Sequence, residues 1–295
     1  MLILVLAVRA ECAFVDAGDG VRLWYDVRGK GSPVIVIHGG PGMDHATLAA
    51  DLVPLEQRHR VIYYDQRGGG RSTLPVDSAL LTIDHHVRDL EALRRHLRLR
   101  KVTLLAHSFG PAVAALYAIR HPQRVDRMIF LGPIPPRKGE FSQQYGATLR
   151  SRLTAGQLAR VAELSFESAN VAEVCREYWS IMTPPRVAHS LPVTVVKSDL
   201  CAAPAEAIRY GMTKTNAATF ASMGEWNWTA DLARVKAPTL IIHGEEDAIP
   251  MAMVEEWATA LPNARLLRLP ETGHFPHAER PDVVFPAIEK FLRGR

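Results

Sequence analysis

The chain has 295 residues, a formal charge of +4, 47% apolar residues and 22% charged residues. That balance excludes a disordered or collagen-like chain, and the arginines are scattered rather than gathered into a polybasic arm. The densest basic stretch, Arg88 to Lys101, carries leucines at 90, 93 and 97, so it reads as one solvated face of a helix rather than a nucleic-acid patch. No run reaches the roughly 18 apolar residues of a membrane span. Neither nucleic acid nor membrane is an expected partner.

The three cysteines, Cys12, Cys175 and Cys201, are far apart and form no CxxC pair. An odd, unclustered count predicts no disulfide scaffold and no zinc site, and fits a reducing compartment. Met1 to Val8 is apolar enough to suggest a secretory leader. It lacks a basic beginning, and Arg9 interrupts before any cleavage pattern. A cytoplasmic location is expected, with a secreted form left open.

In chain order, strands are predicted at Cys12 to Val15, Arg22 to Val27, Val34 to Ile37, Val61 to Tyr64, Val102 to Leu105 and Met128 to Leu131. Helical patterns fall at Asp44 to Gln57, Asp84 to Leu97 and Phe109 to Arg120. Short β-branched runs separated by helices imply a mostly parallel sheet covered on both faces, with right-handed crossovers. Pro133, Pro135 and Pro136 break this alternation and open a mainly helical stretch. Alternation resumes with a strand at Thr239 to Ile242, a helix at Met251 to Ala260, a strand at Arg265 to Leu269 and a closing helix at Pro281 to Leu292. The expected architecture is an α/β core of residues 1–132 and 230–295 with an inserted helical cap, 133–229, roofing the active site.

The chemistry is written in the turns after the strands. Ala106-His107-Ser108-Phe109-Gly110 lies between an apolar strand and a helix, which is the context of a nucleophile elbow, with Ala106 where the motif has its first glycine. Small residues are needed because the turn is tight. A serine hydroxyl requires a general base, and that base an orienting acid, in the chain order Ser, Asp/Glu, His. After the strand at 239–242 come Glu245, Glu246 and Asp247; Asp247 is the expected acid and the glutamates are read as solvated. After the strand at 265–269 comes Thr272-Gly273-His274-Phe275; His274 is the expected base, with His277 its rival. His38 and His107 are read as loop residues. The tetrahedral intermediate needs N–H donors, one from Phe109 and one from the loop His38-Gly39-Gly40-Pro41-Gly42, where Gly40 is expected and Gly39 is the alternative. Neither a GxxxxGK[ST] nor a GxGxxG spacing is present, so that loop is not read as a phosphate cradle. No metal or cofactor is expected.

With the HGGPG loop, the run Asp65-Gln66-Arg67-Gly68-Gly69-Gly70-Arg71-Ser72, the serine elbow and the Asp247 and His274 loops, the chain resembles the proline iminopeptidase-like branch of the α/β-hydrolase superfamily. The resemblance implies the α/β-hydrolase fold and a metal-free serine hydrolase acting on a small-molecule ester or short peptide through an acyl-enzyme; in this branch the DQRG turn is structural. Two departures concern the substrate. The elbow differs from the glycine-glycine-serine-tryptophan-glycine of true proline iminopeptidases, and none of the acids Glu173, Glu177, Glu206 and Glu225 falls in an alignable amine-binding motif. Glu225 beside Trp226 and Trp228 is the most suggestive substrate-binding candidate, since a carboxylate near aromatics can hold an ammonium, but a solvated turn at the end of the cap is the favoured reading. The expectation therefore leans to a carboxylesterase, with release of N-terminal proline as the alternative. A ligand-binding, receptor-like protein that keeps the triad is the reading of another class. Oligomeric state, acyl-chain length and physiological substrate are not legible.

Overall fold

A computed structural model describes residues 12–294. Its eight strands are β1 (Ala13–Asp16), β2 (Arg22–Arg28), β3 (Ser32–Ile37), β4 (His59–Tyr64), β5 (Val102–His107), β6 (Val125–Leu131), β7 (Thr239–Gly244) and β8 (Ala264–Leu269). They form one sheet in the order β1-β2-β4-β3-β5-β6-β7-β8. The β1–β2 and β2–β4 pairs are antiparallel and all others parallel.

Side-chain alternation divides the core between the two faces of this sheet. Ile35, Ile37, Leu104 and Ala106 point into one apolar cluster with α3 (Ile83–His96), α4 (Gly110–Arg120) and α11 (Met251–Ala260). Val34, Val36 and Leu105 point into the other, with α1 (Ala46–Ala49), α2 (Val53–Glu56) and α13 (Pro281–Leu292). Both clusters are buried, which is why the central strands read as continuous apolar runs. The single helix expected over Asp44 to Gln57 is two short ones. Pro54 lies in the first turn of the second, where its missing N–H costs nothing, whereas one continuous helix would need that N–H.

Between β6 and β7 run α5 (Phe141–Ser151), α6 (Ala155–Glu163), α7 (Val171–Met182), α8 (Ala205–Tyr210), α9 (Asn216–Met223) and α10 (Thr229–Leu232). The remaining helix, α12 (Pro276–Glu279), follows β8. A π-helical turn, Gly211–Thr215, joins α8 to α9. This insert has small clusters of its own, one around Leu149 and Met182 and one around Val171, Cys175 and Ile208.

Cys175 and Cys201 are joined by a disulfide across 26 residues, with Cα atoms 5.9 Å apart. This corrects the expectation of unpaired cysteines. Sequence separation hid the pairing, because the chain leaves α7 and returns beside it before α8. Cys12 is free and exposed. The suspected leader lies outside the described residues, among which no helix is long and apolar enough to cross a membrane.

Candidate active site

β5 ends at His107 and α4 begins at Gly110, so two residues make the whole turn. Ser108 takes φ +58°, a left-handed conformation costing about 1–2 kcal/mol for a residue with a β-carbon. Hydrogen bonds hold it there: its N–H donates to Leu131 at 3.0 Å, and its carbonyl accepts from Ile134 at 2.9 Å. Gly110 must be glycine, because a β-carbon there would lie 2.4 Å from the Ile37 carbonyl oxygen.

The loops after β7 and β8 bring the two partners to this serine. Ser108 Oγ lies 3.0 Å from His274 Nε2. On the other side of the ring, His274 Nδ1 lies 2.8 Å from Asp247 Oδ2. The buried Asp247 uses its second oxygen to accept from the Ile249 N–H at 3.0 Å. Burial alone would raise its carboxyl, but His274 and His243 outweigh that and hold it below the usual carboxylate value. An ionised Asp247 fixes the tautomer in which His274 Nδ1 carries the proton and Nε2 is free to accept one. Such a line can take a proton from the serine as its oxygen attacks a carbonyl, and later return it to a leaving group.

The glycine loop after β3 stands against the serine. Gly39 has no room for a side chain, since a β-carbon there would come within 3.0 Å of the Ser108 Cβ. Gly40 holds φ +117°. The DQRG turn supports this loop from below. The Gln66 backbone N–H donates to His38 Nε2 at 3.1 Å, and His38 Nδ1 donates to the Gly39 carbonyl at 2.6 Å. Asp65 accepts from the backbone N–H groups of His45 and Arg71 at 2.9 and 2.8 Å. Arg67 is bound in two places by Asp89, at 2.5 and 2.7 Å. Phe109 is fully buried against Phe220, and its N–H lies at the start of α4, where helix N–H groups lack intrahelical partners.

A cavity of about 540 Å³ opens onto Gly39, Gly40, Ser108 and His274. Its other walls come largely from the insert, including Phe141, Tyr145, Tyr178, Trp179 and Arg186. Glu225 and Trp226, the expected substrate-binding pair, are not in this lining. Glu225 is exposed and paired with Lys138, and Trp226 is buried behind the wall, donating to the Pro135 carbonyl at 3.2 Å and packing on Phe141. Adjacency in sequence suggested a joint grip, yet the two side chains face opposite ways. His277 is buried in α12 against the His107 ring, and neither of its nitrogens has a hydrogen-bond partner among the described residues.

Two contributors carried no sequence signal. His107 donates from Nε2 to the His274 carbonyl at 3.0 Å, so the residue before the serine steadies His274. Glu279, buried in α12, accepts from the N–H groups of Gly273 and Ala188 at 2.8 Å each and from Phe275 at 2.9 Å. Burial raises its carboxyl despite these three donors. It clamps the histidine loop to the insert, and the His274 N–H completes the join by donating to the Arg186 carbonyl at 2.7 Å.

The profile of the alpha/beta hydrolase fold family matches residues 32–281. A non-heme haloperoxidase of Rhodococcus erythropolis is 31% identical over 288 residues, covering 95% of this chain and 99% of its own. A proline iminopeptidase of Heyndrickxia coagulans is 27% identical over 290 residues, covering 95% and 98%. Among solved structures, a thermophilic esterase from Thermogutta terrifontis superposes with a TM-score of 0.69 at 26% identity, over 97% of this chain and 98% of that one. Sheet order, elbow and these relatives agree: the chain belongs to the α/β-hydrolase family, in the branch that holds the proline iminopeptidases.

Proposed function

We propose that the protein hydrolyses a small carboxylic ester through an acyl-enzyme on Ser108. The observation that carries this reading is the unbroken hydrogen-bond line from Ser108 through His274 to Asp247, with its serine end open to the cavity. His274 takes the serine proton as Oγ attacks the ester carbonyl, and gives it to the departing alcohol. Water, deprotonated by the same imidazole, then releases the acid. The developing oxyanion is held by the N–H groups of Phe109 and Gly40, with Gly39 as the alternative donor. Residues 133–229 act as the cap that shapes the cavity.

Ester is preferred to N-terminal proline amide because the described lining includes no aspartate or glutamate to receive a free ammonium. Turnover of p-nitrophenyl butyrate against proline p-nitroanilide tests the choice, and a fluorophosphonate tests the nucleophile. The expected result is ester turnover at least about a hundredfold faster than anilide, stoichiometric labelling, and loss of both in Ser108→Ala, a fall of about 10³-fold or more in kcat. Faster anilide turnover would overturn the ester assignment. Labelling without multiple turnover would favour the receptor-like reading.

A further inference from the structure

Arg186 is the one lysine or arginine in the described cavity lining, which holds no acid to balance it. The residue closes the turn Pro184–Arg186 after α7 and is 8% exposed. Its Nε donates to the Tyr145 hydroxyl at 3.0 Å, and Nη1 donates to the Met182 carbonyl. The guanidinium carbon lies 5.5 Å from the Trp179 ring centre and 5.8 Å from that of Tyr145. No carboxylate pairs with it among the described residues, and Nη2 has no protein acceptor there. The other two buried arginines, Arg67 and Arg94, are treated differently: Asp89 and Asp19 bind the first, and Glu91 binds the second.

A guanidinium taken from water without a counter-charge is costly, and burial of a lone charge is ordinarily offset by a partner. Here two aromatic faces, a phenol and one carbonyl orient the group but leave its charge unbalanced. The open nitrogen sits on a residue whose own carbonyl is bonded to the backbone of His274. A planar fork of N–H donors matches a carboxylate in two-point contact. A phosphate dianion would bring more charge than one arginine balances, and the lining holds no lysine to help. An ammonium-bearing substrate would be repelled by Arg186 and would find no carboxylate in the described lining.

We propose that Arg186 is the specificity residue of the site and binds a carboxylate on the substrate, so that the preferred substrates are esters carrying a second, ionised carboxyl group. This rests on the acyl-enzyme reading above and names its substrate class. Tyr145 holds the guanidinium in place, and Trp179 supports its face. The contact is made equally in ground and transition states, so it lowers KM more than it raises kcat.

Two matched pairs of esters test the proposal on the full-length wild-type protein. The p-nitrophenyl monoester of adipic acid against its methyl-capped diester places the charge on the acyl side. Acetate esters of 4-hydroxybenzoic acid and of its methyl ester place it on the leaving side. Each kcat/KM is divided by the ester's hydroxide-catalysed rate to remove leaving-group differences. In at least one pair the anionic member is expected to be favoured by about ten- to a hundredfold, mostly through KM. Arg186→Gln should bring that ratio to about one, and Arg186→Lys should retain part of it. A wild-type ratio at or below one in both pairs overturns the proposal whether or not the glutamine variant folds, as does a ratio unchanged in Arg186→Gln. If no ester turns over and Ser108 resists a fluorophosphonate, the acyl-enzyme reading itself falls, and the inference with it.

Discussion

Ser108 is held against its own backbone preference, and the residues that hold it are mostly remote in sequence. Its left-handed φ is sustained by Leu131 and Ile134 on the neighbouring strand and turn. The same economy governs His274, whose N–H, carbonyl and flanking residues are each tied to a different part of the chain: Arg186, His107 and Glu279. Glu279 is the sharpest test of this design. Replacing it with alanine leaves three buried N–H groups without an acceptor, and each such loss costs about 1–3 kcal/mol. Glu279→Ala should therefore destabilise the protein by roughly 3 kcal/mol or more, read from the urea midpoint, and lower kcat by loosening the His274 loop. Glu279→Gln, which keeps an acceptor oxygen, should recover part of both. A variant as stable and active as the parent would mean that these N–H groups find other partners.

At the scale of elements, the loops gathered around Ser108 are legible in the sequence and the insert is not. The elbow, the HGGPG loop and the turns after β7 and β8 each announce themselves locally, because a strand, a tight turn and small residues must adjoin in sequence. Asp247 and His274 thus stand out in the sequence, and the fold brings them to 2.8 Å. The helical insert obeys no such local rule. Arg186, Tyr145 and Tyr178 come together through packing of α5 against α7, and nothing in their spacing says so. Glu225 and Trp226 show the converse, neighbours in sequence that the backbone turns apart. Gly211 is a similar case: at the start of the π-helical turn it presses so closely on the HGGPG loop that a β-carbon would lie 1.9 Å from the Gly42 carbonyl oxygen. Gly211→Ala should cost about 1–3 kcal/mol and reduce kcat by displacing the glycine loop. Gly156→Ala is the control, since nothing lies within 4 Å of its added carbon in α6, and it should stabilise by about 0.5–1 kcal/mol.

For the whole molecule, buried histidines set the response to acid. Burial holds His38 and His277 down at about 4 and His86 at about 3, and drives His107 well below the ordinary 6.5. Opposing charges are too weak to reverse this: Asp65 raises His38 and Asp51 raises His277, but burial dominates both. These rings are neutral in the folded chain, whereas in the unfolded chain they take up protons near 6.5. Below that pH the unfolded state binds more protons, so their contribution is fully present above about 6.5 and drains away toward about 4. Each ring can remove up to about 1.4 kcal/mol per pH unit in that window. Urea midpoints should therefore fall steeply between pH 6.5 and 5, and His86→Phe should flatten the slope if its ring is replaced without strain. A midpoint flat across that range would show that these rings stay protonated when folded.

The Cys175–Cys201 bond makes the stretch between them a covalent ring that includes Tyr178, Trp179 and Arg186. Val193, 40% exposed, lies on that ring. A protease that nicks the chain there opens the ring without parting the molecule. The two fragments would travel as one band on a non-reducing gel and separate only after a thiol is added, leaving the nick invisible to ordinary sizing of the native protein.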